Sequence, residues 1–230
     1  MTPTWLWRFL VLAVGITGLS LGWVSNAGPL GPLVFFTDQS NIAVAAYMAF
    51  LVVWPLLASR VPADGRLTRA RSSLALRGAV TLYIIITGLI FAVVLQNLKD
   101  PLTFLSQGPS GVGTFLLHYV IPPAVVFDFL VLERRQGLKW VYAATWLLYP
   151  LAYLAYAFIR GALFTKGQYP YPFLDVAKDG YLGVTINAVI YGILFYLLGL
   201  FLILLGRLSS RSAPSQSALP TREASSTTNV

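Results

Sequence analysis

Six unbroken apolar stretches limit the folds open to this chain more than any other feature. They cover about 5–24, 41–58, 78–96, 114–132, 139–159 and 184–206, and each is close to the roughly 20 residues that carry an α-helix across a bilayer core. None alternates in the way a membrane β-barrel strand does. Backbone placed in hydrocarbon must satisfy its own hydrogen bonds, so continuous apolar runs predict helices. The expected fold is all-α: a polytopic membrane protein of six transmembrane helices formed by residues 1–206. Residues 207–230, rich in Ser, Thr, Pro and Ala, read as a disordered cytoplasmic tail.

A net charge of +8 would suit a nucleic-acid binder if it were gathered on one patch. It is not. Twelve of the basic residues lie near the N-terminus or in and beside alternate connections: Arg8; Arg60, Arg66, Arg69, Arg71 and Arg77; Arg134, Arg135 and Lys139; Arg207, Arg211 and Arg222. The intervening connections hold four: Lys99, Arg160, Lys166 and Lys178. This asymmetry predicts both termini in the cytoplasm and a multi-pass protein of the cell membrane. The excess charge then complements anionic lipid headgroups, and no nucleic-acid partner is expected. The N-terminal run ends in Ser25-Asn26-Ala27, like a signal peptide. Its length and single cationic flank, Arg8, predict an uncleaved first helix instead.

Cysteine is absent, which removes disulfides, thiolate ligands and a cysteine nucleophile. One histidine and dispersed carboxylates make no zinc or di-iron site, and bis-histidine haem is excluded. No glycine-rich phosphate loop is present. No metal or cofactor is expected. No internal repeat is visible either, which argues against a transporter built from inverted repeats.

The single histidine, His118, falls inside the fourth run, where a titratable ring is costly and marks a functional site by default. Thr37, at the start of the second helix, is expected at a similar depth on the same outer side. A neutral imidazole there can take the proton of a hydroxyl nucleophile. The structural alternative is a histidine bonded to a tyrosine or carbonyl to hold helices together. Ser40 lies one turn beyond Thr37, and Asn41 shares its face, where the amide can donate to an oxyanion. Asp38, Gln39, Ser40 and Asn41 are also residue types that cap helices.

Three further features complete the reading. Pro122-Pro123 must kink the fourth helix or free its carbonyls. Asp128, ten residues beyond His118 and about 15 Å deeper, is expected to pair with Arg8 or Arg77 at the inner boundary. The fifth helix carries Tyr142, Trp146, Tyr149, Tyr153 and Tyr156 at helical spacing. With Asn187 and Tyr191 on the sixth, Tyr149 and Tyr153 suit a cavity for an acyl chain bearing a polar linkage. Gly108-Pro109-Ser110-Gly111 has the G-x-S-G pattern, but Ser110 is only eight residues before His118 and cannot pair with it on one continuous helix.

Three motifs resemble one known family, the androgen-induced six-transmembrane proteins and their bacterial relatives. They are Phe35-Phe36-Thr37 with Gln39-Ser40-Asn41; His118 followed at +5 by Pro123 and at +10 by Asp128; and Tyr171-Pro172-Phe173-Leu174-Asp175 before the last helix. The likeness runs from the first helix to the sixth. Animal members hydrolyse fatty acid esters of hydroxy fatty acids with an intramembrane threonine and histidine. The resemblance implies a hydrolase of lipid carboxylic esters, with Thr37 as nucleophile, His118 as general base and an acyl-threonine intermediate. Membrane lipids and a lipid ester are the partners it implies. The chain departs from the animal pattern at Asp38-Gln39-Ser40-Asn41 and in its longer tail.

Overall fold

The computed structural model describes residues 2–25, 32–60, 62–63, 65–132, 137–164 and 169–211. Its helices are α1 (Pro3–Ser25), α2 (Phe36–Leu57), α3 (Arg66–Ser72), α4 (Leu74–Leu89), α5 (Gly108–Phe115), α6 (Ile121–Phe127), α7 (Val141–Thr145), α8 (Leu148–Leu163) and α9 (Val176–Arg211). Among the described residues there is no strand. Six helical spans are long and apolar enough to cross a membrane: Pro3–Trp23, Phe36–Arg60, Leu74–Leu95, Gly108–Leu132, Val141–Leu163 and Val176–Ser209. This is a multi-pass membrane protein.

The third span, begun by α4, is the hub. On one side its Val80 and Ile84 pack with Val11, Val44, Met48, Ile121 and Val125 of the first, second and fourth spans. On the other, Leu82 and Ile86 pack with Phe129, Trp146, Tyr153, Val184 and Ile203. Lipid tails are as apolar as leucine, so tight packing and small residues hold such helices together. A Cβ on Gly113 would lie 3.0 Å from the Gly18 carbonyl oxygen and 3.0 Å from the Gly22 nitrogen, so α1 and α5 touch along their backbones. A Cβ on Gly78 would enter the Trp146 ring, whose indole N–H donates to the Ala75 carbonyl at 2.7 Å. Exposed Leu10, Ile16, Val189, Ile190 and Ile193 are among the side chains that give the bundle an apolar exterior.

Opposite the Thr37 end, Asp128 is 1% exposed and bridges two buried arginines. Its carboxylate accepts from Arg8 Nε at 2.9 Å and from Arg77 Nη2 at 2.6 Å. Both expected partners are therefore engaged at once, tying the first, third and fourth spans together. A buried carboxylate needs such company, because taking it out of water costs several kcal/mol.

Most of the spans begin earlier than hydropathy alone suggests. α2 starts at Phe36, five residues ahead of its apolar run, and the fourth span at Gly108, six ahead. The last starts at Val176 and breaks at Gly180, whose φ of 65° is in the region glycine adopts without a Cβ penalty. α9 continues to Arg211, five residues into the segment read as tail. There Arg207 Nε donates to the Leu138 carbonyl at 3.0 Å, and the guanidinium lies 4.6 Å from the centre of the Trp140 ring. The rest of that segment, and Asn26-Ala27 of the cleavage-like motif, lie outside the described residues.

Candidate functional site

The polar cluster at Thr37–Asn41 does not cap α2. The N-cap is Phe35, in extended conformation and without a side-chain hydrogen bond, so the cluster falls within the first turns of the helix. Aromatic packing moves the helix start outward. Phe36 is buried with its ring 5.3 Å from those of both Tyr149 and Tyr153 and 6.4 Å from that of Tyr83. Tyr153 donates its hydroxyl to the Val34 carbonyl at 2.9 Å. Gln39 Nε2 donates to the Leu33 carbonyl at 2.7 Å, and its Oε1 accepts from the Tyr149 hydroxyl at 2.7 Å. These contacts hold Thr37 as the second residue of α2.

On the fourth span, Pro122 and Pro123 have no N–H to give the carbonyls of His118 and Tyr119. The backbone answers with a π-helical turn, Leu116–Val120, closed by a bond from the Ile121 N–H to the Leu116 carbonyl. His118 sits in that turn. Its face is stacked on Phe91, with centroids 3.7 Å apart and planes 25° apart, and Phe91 belongs to a second π-helical segment, Ile90–Leu95. Gly88 permits the close approach of α4, since a Cβ there would lie 3.1 Å from the His118 carbonyl oxygen.

Two side chains from separate spans meet here. Thr37 Oγ lies 3.2 Å from His118 Nε2, and His118 Nδ1 lies 2.8 Å from the Thr114 carbonyl oxygen. A carbonyl only accepts, so Nδ1 carries the proton. In the neutral ring Nε2 then offers its lone pair, and the Thr37 hydroxyl donates to it. Thr114, through its backbone carbonyl, is thus the group that orients the histidine.

The neighbouring polar residues act on the Thr37 backbone. Ser40 Oγ is 3.0 Å from the Thr37 carbonyl oxygen and 2.7 Å from Thr87 Oγ1. Asn41 Nδ2 donates to the carbonyls of Thr37 at 2.9 Å and of Leu117 at 3.5 Å. The Asn41 amide is therefore spent on backbone carbonyls rather than held ready for an oxyanion. Its Oδ1 is buried with no partner among the described residues.

Tyr171 completes the cluster. Its buried phenol stands beside Thr37 and Phe36 at the N-terminus of α2. Burial pushes it above the ordinary tyrosine value, outweighing the opposite influence of Thr37 and Phe36, so it stays neutral. Tyr171 stacks on Phe173 (5.2 Å, 5°) and meets Phe35 edge-on at 6.1 Å. Asn187 Nδ2 ties this segment to α9 through the Phe173 carbonyl at 3.2 Å.

Thr37 and Tyr171 stand at one end of a pocket with about 810 Å³ of empty space, bounded by the third span, α8 and α9. His118 lies behind Thr37, outside the lining. Of the residues expected to contact substrate, Tyr153 and Tyr191 line the pocket. Tyr149, Ser40, Asn41 and Asn187 do not; they brace the segments that do. Ser110 is exposed in the first turn of α5. Among the described residues no three His, Cys, Asp or Glu side chains are grouped as metal ligands would be.

Sequence reasoning assigned no role to Tyr171, Phe91 or the Thr114 carbonyl. Only the first carried a signal, through the Tyr-Pro-Phe-Leu-Asp motif, too apolar for a free loop. Compared with models of known families, with curated proteins and with solved structures, the chain matches none.

Proposed function

We propose that this protein is an intramembrane threonine hydrolase of lipid carboxylic esters, fatty acid esters of hydroxy fatty acids or close analogues, in the cell membrane with both termini cytoplasmic. The observation that carries the reading is the 3.2 Å approach of Thr37 Oγ to His118 Nε2, with Nδ1 already committed to a carbonyl, at the end of an apolar pocket. The resemblance of three motifs to those of the androgen-induced family supports it.

The reaction follows from these groups. His118 Nε2 takes the Thr37 hydroxyl proton as Oγ bonds to the ester carbonyl carbon. Negative charge develops on the carbonyl oxygen, where the Tyr171 hydroxyl can donate to it. The tetrahedral intermediate collapses, the C–O bond to the alcohol breaks, and the imidazolium returns its proton to the leaving oxygen. Water then gives a proton to Nε2 and attacks the acyl-threonine; the second tetrahedral intermediate collapses, the acyl–Oγ bond breaks and the imidazolium returns its proton to Thr37 Oγ. Acid and free Thr37 hydroxyl are the products.

A second reading is a non-catalytic lipid-binding protein using the same pocket. It is favoured by one fact: the partner of His118 Nδ1 is a neutral carbonyl, which stabilises an imidazolium less than a carboxylate would. Hydrolysis of medium-chain esters by the protein purified in detergent separates the two. Thr37→Ala and His118→Ala should each lower turnover by about 10²–10⁴-fold while remaining monodisperse. Wild-type rates in either variant would leave the lipid-binding reading in its place.

A further inference from the structure

The pocket is closed above and open at the side. Its roof is the segment around the short helical turn Pro172–Leu174, with Tyr171 and Leu174 buried and the Phe173 carbonyl held by Asn187. Its flank is different. α9 packs on α7 and α4, whereas α8 makes only sparse close approaches to any other element, so α8 and α9 stand apart beside the pocket. Leu151 of α8 lines the pocket and is also 56% exposed, which places it at a rim facing the surrounding lipid. Across the gap on α9 is Gly192, where a Cβ would meet nothing within 4 Å.

The lining selects the occupant. Among the described residues it holds no charged side chain, and its polar side chains are those of Thr37, Thr87, Tyr153, Tyr171 and Tyr191. A headgroup phosphate or a free carboxylate would find no cation there, and burying either unpaired is costly. Along the third span the lining runs from Ile86 to Leu95, nine residue steps or about 14 Å of helix. That is a slot for one hydrocarbon chain.

We infer that the slot between the third span, α8 and α9 is an acyl-chain site filled sideways from the bilayer between α8 and α9, past Leu151 and Gly192. It takes a single uncharged chain whose ester carbonyl comes to rest at Thr37. The last clause rests on the reading of Thr37 as nucleophile; the slot and its lateral opening do not. Selectivity then follows from the wall: the chain length a substrate can carry is set by what occupies the Gly192 position.

The test uses the full-length protein in phosphatidylcholine liposomes, a fatty acid methyl ester bearing a chain diazirine, and nitrophenyl acetate and octanoate. Wild type and Thr37→Ala should both be photolabelled on peptides of α8 and α9. Gly192→Trp, which fills the slot, should lose that labelling and hydrolyse octanoate about tenfold or more slowly, while acetate hydrolysis holds. Gly192→Leu should give the same pattern in weaker form and covers a folding failure of the larger variant. Undiminished labelling in both variants, or an equal fall for acetate and octanoate, would overturn the slot. Labelling that is lost in Gly192→Trp from a wild type that cleaves no ester would uphold the slot and remove Thr37 from catalysis.

Discussion

His118 Nδ1 and the Thr114 carbonyl oxygen are 2.8 Å apart, joined across one turn of the same span. This bond decides which ring nitrogen faces Thr37. In serine hydrolases a carboxylate takes that place, fixing the tautomer and stabilising the imidazolium as it forms. A carbonyl does the first task fully and the second only through its dipole. The proposed dyad would be suited to slow turnover on substrates presented at high local concentration by a membrane.

Tyr171→Phe isolates the role of the phenol. The ring keeps its stacking on Phe173 and Phe35, so the roof should stay in place. Removing one donor to a developing oxyanion costs about 10²-fold in kcat, with KM little changed. A purely structural tyrosine would leave kcat as it was. Steady-state kinetics on a soluble medium-chain ester gives the split.

Gly88→Ala should harm turnover more than stability. The new methyl group would press on Pro122 at 3.0 Å and on the His118 carbonyl at 3.1 Å, so α4 and the fourth span must part by a few tenths of an ångström. The contact between Thr37 and His118 has little room to lengthen. Misplacement of this size is expected to lower kcat about tenfold, with a small change in melting temperature. An unaltered kcat would show that the histidine turn absorbs the strain without moving Nε2.

Asp128→Ala makes the opposite separation. It leaves two buried guanidinium groups without their shared carboxylate, which costs about 3–5 kcal/mol of stability. Thermal unfolding in detergent should report a clear drop in Tm. Asp128 is ten residues from His118, about 15 Å along the span, so kcat per folded molecule should hold. Loss of turnover without loss of stability would give Asp128 a part in the chemistry.

The six spans are legible because a helix in lipid needs only length and apolarity, and both are written along the chain. The proximity of Thr37 and His118 is legible in part, since both fall near the same end of neighbouring helices. Their depth was not: α2 starts where Phe36 finds its aromatic neighbours, a matter of tertiary packing. Proline at 122 and 123 signals a broken ladder, and the π-helical turn that receives His118 is its outcome. Tyr171 stayed hidden for a different reason. Its chemistry depends on a connecting segment folding back onto the start of α2, and no periodicity records a return of that kind. The tyrosine stripe shows the same limit, with Tyr153 on the pocket wall and Tyr149 turned to Gln39.

The central claim is that the Thr37 oxygen becomes a nucleophile because His118 takes its proton. Reaction with a fluorophosphonate probe, followed by mass-spectrometric mapping of the modified residue, tests it most directly. The account predicts a covalent adduct on Thr37 that forms in the wild type and disappears in His118→Ala, with both proteins folded. An adduct on Ser40 or elsewhere, or equal labelling of Thr37 with and without the imidazole, would contradict it.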